Sequence, residues 1–187
     1  MTEQQAVPSI TTVEKQLHTV LSTVASQYSD EDRPGMVHYA PGAEVAWDNC
    51  CEGGGQLYLR LIGVHPSQTF PQPTLAPGCR AAMFDVHFAV GAIRCAHTVS
   101  SRGVPPSGEQ MSSDFSVTLG DLTMIQQGLV EAASAAGILK LVLGRWSPRG
   151  PNGGCVAGEW DAHLAVNCLG WVPDALVDSG VGEGMGG

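Results

Sequence analysis

Gly137-Ile-Leu-Lys-Leu-Val-Leu-Gly-Arg-Trp-Ser-Pro-Arg-Gly-Pro-Asn-Gly-Gly-Cys-Val-Ala-Gly-Glu-Trp-Asp-Ala-His-Leu-Ala-Val-Asn-Cys168 holds an apolar run, a Pro/Gly-rich stretch and a strict alternation, in that order. The apolar run is Ile138 to Leu143. The alternation sets Trp160, Ala162, Leu164 and Val166 on one face and Asp161, His163, Ala165 and Asn167 on the other. Period-two alternation after turn formers is the signature of a β-hairpin. Ser147 to Cys155 is too long for a tight turn and predicts a long, projecting tip. It carries Arg149 and no acid. Such a tip is a contact element, not a catalytic pocket.

Working outward, a helix is expected to start near Ser107–Ser112 and to reach Ala136. Leu122, Ile125, Leu129, Ala132 and Ala136 form its buried stripe. Gly137 is a natural stop. Gly120 and Gly128 each cost about 1 kcal/mol against alanine, which makes Gly120 a point for a break. An earlier helix is expected over residues 12–28. Thr11 and Glu14 have capping-box spacing, and Val13, Leu17, Val20, Leu21 and Val24 fall on one stripe. Asp30 to Gly35 ends it. Between the helices lie a short extended piece, Val37 to Tyr39, and a strand, Gln56 to Val64. Residues 65–78 carry four prolines and cross the surface. Ala81 to Cys95 is a second long strand that Gly91 can bend or bulge.

These elements predict an α+β fold: a mainly antiparallel sheet, two helices packed on one face, and a long-tipped C-terminal β-hairpin. The 187 residues fit a single domain with a core over about 11–177 and flexible termini, 1–10 and 178–187.

Charged residues are 14% of the chain, under the usual ~25%. Either much of the exterior meets other protein, or the chain has an ordinary Gly/Ala-rich composition. The net charge of −9, with 9 Lys+Arg against 18 Asp+Glu and no basic run, disfavours direct recognition of nucleic acid. An acidic lining past which DNA slides is compatible with it. No apolar run approaches the ~20 residues of a membrane span. Met1 to Ser9 lacks the features of a signal peptide, so synthesis and folding in a cytoplasm are expected.

The six cysteines, at 50, 51, 79, 95, 155 and 168, form no C-x-x-C pair. Free buried thiols are expected. Two alternatives stand beside them. One is a zinc site built from distant cysteines and histidines, against which the adjacency of Cys50 and Cys51 argues. The other is later oxidation of Cys50 or Cys51 with Cys79 or Cys95. Cys50 or Cys51 with a distant histidine would make a cysteine-dependent enzyme, but no hydrolase signature supports it. Gly53-Gly54-Gly55 precedes a strand and lacks a Gly-Lys-Ser/Thr, so it is a flexible loop and not a phosphate cradle. Asp85, His87, Asp161 and His163 alternate along two strands. If those strands are neighbours, they form a polar patch, read as a solvated face or subunit interface more readily than as a metal site. No catalytic residue, cofactor site or metal site is assigned. Arg145, Trp146, Pro148, Arg149, Pro151 and Asn152, in and beside the hairpin tip, are the candidate interface residues.

Several pieces carry a resemblance: Trp47-Asp-Asn-Cys-Cys-Glu-Gly-Gly-Gly-Gln-Leu-Tyr-Leu-Arg60, Ile93-Arg94-Cys95, Val104-Pro105-Pro106, and Gly150-Pro-Asn-Gly-Gly-Cys155. Over most of residues 10–170 the chain resembles the head–tail joining proteins of long-tailed, siphovirus-type phages of actinobacteria, and among them the tail terminators. The resemblance implies a structural virion protein at the head–tail junction, assembled in the host cytoplasm. It implies a sixfold ring of copies of itself that caps the tail tube, stops its polymerisation and docks to the neck. Its partners would be the major tail tube protein and the connector or stopper proteins, with DNA passing through the bore unbound. It implies no enzyme activity and no cofactor. A head-completion or stopper protein, or another neck subunit, is the nearest alternative.

Overall fold

The computed structural model describes residues 10–40, 42, 44–75, 83–135, 138 and 140–167. The elements run α1 (Ile10–Ala25), β1 (Met36–Ala40), β2 (Gln56–Ser67), β3 (Met83–Cys95), α2 (Gly108–Ala133), β4 (Lys140–Asn152) and β5 (Cys155–Asn167). The strands form one five-stranded sheet in the order β1-β2-β3-β5-β4. Every pairing is antiparallel except β1 with β2. The α+β fold expected from the sequence is the fold observed. Cys79, Ala136, Gly137, Cys168 and, of the expected flexible termini 1–10 and 178–187, all but residue 10 lie outside the described residues. No helix among the described residues is long and apolar enough to cross a membrane.

Alternation along the strands sends Leu57, Leu59, Val86, Phe88, Val90, Ala162, Leu164 and Val166 to one face. There they meet Val20, Leu21 and Val24 of α1 and Ile125, Leu129 and Ala132 of α2 in a single core. Full burial of an aliphatic or aromatic side chain of this kind contributes roughly 1.5–3 kcal/mol. Beneath the sheet's other face a smaller cluster joins Tyr58, Ile93, Ala157, Cys50 and Cys155, with Val45 and Trp47 packed on it.

Several local expectations change. Thr11 lies inside α1, which already begins at Ile10, so the expected box is not the start of that helix. Ser107 caps α2 instead: its hydroxyl accepts from the Gln110 N–H, and the Gln110 side chain accepts from the Ser107 N–H. The helix passes Gly120 without a break. Gly91 does not bulge β3. The Tyr58 ring lies where a Cβ on Gly91 would stand. The expected long hairpin tip is ladder almost to its end. Asn152 faces Cys155 across a two-residue turn, Gly153-Gly154, with φ of 58° and 88°. A type I′ turn needs positive φ at both central positions, and glycine adopts it freely. The prolines are tolerated because β4 is an edge strand, where a missing N–H costs no ladder bond.

The free-thiol expectation is also overturned. Cys50 is bonded to Cys155 and Cys51 to Cys95, and no described cysteine is free. The cause is register: Cys95 and Cys155 face each other across β3 and β5, and the turn at residues 48–51 lays the adjacent pair over them. In the chain-entropy view, loops of 44 and 105 residues closed this way each remove on the order of 4 kcal/mol of unfolded-state entropy.

A Cβ on Gly120 would have nothing within 4 Å, whereas a Cβ on Gly128 would stand 2.5 Å from the Val24 Cα of α1. Gly120→Ala is therefore expected to raise stability by about 1 kcal/mol. Gly128→Ala is expected to lower it, because overpacking of about 1–3 kcal/mol outweighs the same helical gain. Thermal unfolding of the two variants should show midpoint shifts of opposite sign.

Candidate interaction surface

The first three turns of α2 extend beyond the sheet's cover. Met111, Phe115 and Leu119 stay exposed there, Phe115 at 63%. Facing them are the ends of β4 and β5 and the loop after β3. Between these walls lies a mostly apolar groove of about 890 Å³. Trp146, Pro148, Arg149 and Pro151 line it. Asn152 lines a second recess of about 450 Å³ beside the disulfides. Arg145 falls in the register shift between Leu143 and Trp146 and lines neither hollow.

Trp146 is seated by glycine. Its indole lies across Gly158 and fills the space that a Cβ there would need. It tilts against Trp160 at 6.0 Å between centroids. The Trp160 indole N–H donates to the Leu122 carbonyl of α2 at 3.0 Å, tying the groove's floor to its wall.

Arg149 does not swing free. Its guanidinium donates to Glu159 at 2.5 Å. Glu159 is 2% exposed and also accepts from Arg60 at 2.7 and 3.0 Å and from the Tyr58 hydroxyl at 2.9 Å. Burial alone would raise the Glu159 pKa. The hydrogen bonds from Arg60 and Tyr58 and the two arginine charges win, and hold it below the usual carboxylate value. Nothing in the sequence singled out Glu159 or Arg60. A charged residue at a strand position flanked by core positions was the available signal.

Further along the same face, β3 and β5 are neighbours, and the patch foreseen at Asp85, His87, Asp161 and His163 is assembled. His87 and His163 are register partners with rings stacked 4.3 Å apart. Asp85 is fully buried, and its Oδ2 meets His163 Nδ1 at 2.8 Å and His65 Nε2 at 3.0 Å. Burial and the neighbouring His163 lower the His87 pKa. Among the described residues no group of three or more His, Cys, Asp or Glu can hold a metal ion as the side chains stand.

The opposite edge of the sheet is apolar too. On β1, Met36, Val37 and Tyr39 are 44%, 43% and 47% exposed. The molecule thus carries two unlike apolar surfaces, the α2–hairpin groove beside β4 and the β1 edge, on opposite edges of one sheet.

No protein-family profile matches the chain, and no curated protein matches it. Among solved structures it is similar to a chain described as the sheath/tube terminator, in the extended state, of an extracellular contractile injection system studied by cryo-EM. The identity is 10% and the TM-score 0.32. The match covers 96% of this chain and 65% of that one, so this protein spans about two thirds of its neighbour's length.

Glu159→Gln removes the buried carboxylate that Arg60 and Arg149 share and should cost about 3 kcal/mol, since breaking a buried pair typically costs 3–5 and Arg149 is partly solvated. A carboxylate whose folded pKa is depressed stabilises above its unfolded pKa, and that stability is lost as pH falls through the folded value. The wild type should therefore lose stability on acidification below about pH 4. The variant should lack that component. Denaturant unfolding between neutral and acid pH measures both.

Proposed function

We propose that this chain is a structural virion protein, a tail terminator subunit. Copies of it close into a ring on the end of the tail tube, stop further addition of tube subunits and present a surface to the neck. The resemblance carried by Trp47–Arg60, Ile93–Cys95, Val104–Pro106 and Gly150–Cys155 suggests the role. The observation that carries the ring is the pair of unlike apolar surfaces on opposite sheet edges.

A closed ring needs a heterologous contact, in which one patch meets a different patch on the next copy. The β1 edge of one subunit entering the α2–hairpin groove of the next satisfies that requirement. It would bury Phe115 and Leu119 on one side and Val37 and Tyr39 on the other. Trp146, Pro148, Arg149 and Pro151 would form the groove's own contact, with Arg145 and Asn152 at its margin. A ring of six around the bore, with a net charge of −9 per chain, would let DNA pass without sticking. A head-completion or stopper subunit would use the same geometry at a neighbouring level of the neck, and the stability of tail length tells the two apart.

The test is assembly. The purified chain should sediment as a closed oligomer, sixfold by imaging. Phe115→Asp and Val37→Arg should each give a folded monomer, with at least ~2 kcal/mol of association lost per contact as for an interface hot spot. Mixing the two variants should not restore full rings, because each lacks a different half of the same contact. Phage lacking the protein should carry tails of uncontrolled length. A wild-type chain that stays monomeric at all concentrations and is absent from particles overturns the reading.

A further inference from the structure

The fold gathers four cysteines from three parts of the chain. Cys95 and Cys155 are cross-strand partners, and Cys50 and Cys51 come down on them from the turn before β2. Successive residues usually send side chains apart. Here the Sγ atoms of Cys50 and Cys51 stand 3.8 Å apart on the same side. The residue before them, Asn49, has φ of 60°, a left-handed conformation that turns the backbone sharply at this point. In a tetrahedral zinc tetrathiolate the metal–sulfur bond of about 2.3 Å places neighbouring sulfurs about 3.8 Å apart. The Cys50–Cys51 sulfur pair already has that edge length. The Cα separations across the two disulfides are 6.1 Å and 4.5 Å, so all four sulfurs hang from backbone positions close to one another.

Access is unequal and directed. Cys51 and Cys95 are exposed, whereas Cys50 and Cys155 are buried. The recess of about 450 Å³ opens onto Cys50, Cys51 and Cys155, with Asp48 and Glu52 among its walls. Two carboxylates at the mouth of a hollow raise the local concentration of cations.

We propose that Cys50, Cys51, Cys95 and Cys155 form a redox-exclusive metal site: two disulfides in the oxidised protein, and one tetrathiolate site for zinc or a similar thiophilic divalent ion in the reduced protein. Two molecules of a dithiol reductant supply four electrons and four protons. Both S–S bonds break to give four thiols, and each reductant leaves as its own disulfide. The metal then displaces the four protons as four metal–sulfur bonds form. Either chemistry ties the turn at 48–51 to the ends of β3 and β5, so the same constraint holds in a reducing and in an oxidising compartment. Both forms cannot exist at once, because the same four sulfurs are used.

The experiment uses the full chain with Cys79→Ser and Cys168→Ser, so that only the four sulfurs remain. The protein is reduced with a phosphine under argon, freed of reductant and titrated with cobalt(II) alone. One equivalent should bind, with the intense visible bands and sulfur charge-transfer absorption of tetrahedral cobalt thiolate. Zinc should displace it, and the disulfide form should show no bands. Adding Cys95→Ser or Cys155→Ser should remove the tetrathiolate spectrum. Circular dichroism followed alongside should keep the folded signal, or recover it as metal is added. Reduced protein that binds no cobalt in tetrahedral form overturns the proposal, as does a spectrum that survives loss of Cys95 and Cys155 together.

Discussion

Arg94 is bound to Asp121, and through that pair four separate parts of the chain hold one another. Arg94 sits near the end of β3 and donates to both carboxylate oxygens of Asp121 on α2, at 2.6 to 3.2 Å. It also donates to the carbonyls of Asp32, after α1, and Gly54, before β2. Its guanidinium lies 5.6 Å over the Tyr28 ring, and the Tyr28 hydroxyl donates to Asp121 at 3.1 Å. A planar group with five donors suits this work in a way that lysine would not. A buried carboxylate facing a half-buried guanidinium is expensive unless the donors and acceptors are used, and here they nearly all are. The network fixes how the two helices sit on the sheet.

The sheet's two faces divide the labour. One is the apolar floor beneath both helices. The other is a polar row that runs from Tyr58, Arg60 and Glu159 to Asp161, His87, His163, Asp85 and His65. Disulfides close that face at the hairpin end. Arg149 belongs to both worlds: it lines the groove and anchors on buried Glu159. In the proposed ring, a contact at the groove would therefore bear on a residue already held rigid. Rigid, pre-ordered side chains lose less entropy on association.

The elements were legible in the sequence because each carries a period. The 3.6-residue stripe of Val20, Val24, Ile125 and Leu129 and the alternation of Val86, Phe88, Leu164 and Val166 ended as the core. The histidine–carboxylate patch was legible on the condition that two strands proved to be neighbours. The groove was half legible. Trp146, Pro148, Arg149 and Pro151 stood out as an unusual stretch, but Phe115 and Leu119 looked like ordinary helix residues until their distance from the sheet was known. Glu159 showed only a charge between core positions of a strand, which did not tell that three side chains would converge on it.

The sequence alone determined the secondary structure and which face of each element is apolar, because those follow from local periodicity and turn chemistry. Only the tertiary structure decided what meets what. Strand register set Cys95 opposite Cys155 and turned expected thiols into two disulfides. Close approach separated Gly128, wedged on Val24, from Gly120, which faces open space. Pairing across the sheet brought Arg60, Tyr58 and Arg149 onto Glu159 from about ten to a hundred residues away. Contacts over such separations leave no local period in the chain, and so no trace that sequence reading can recover.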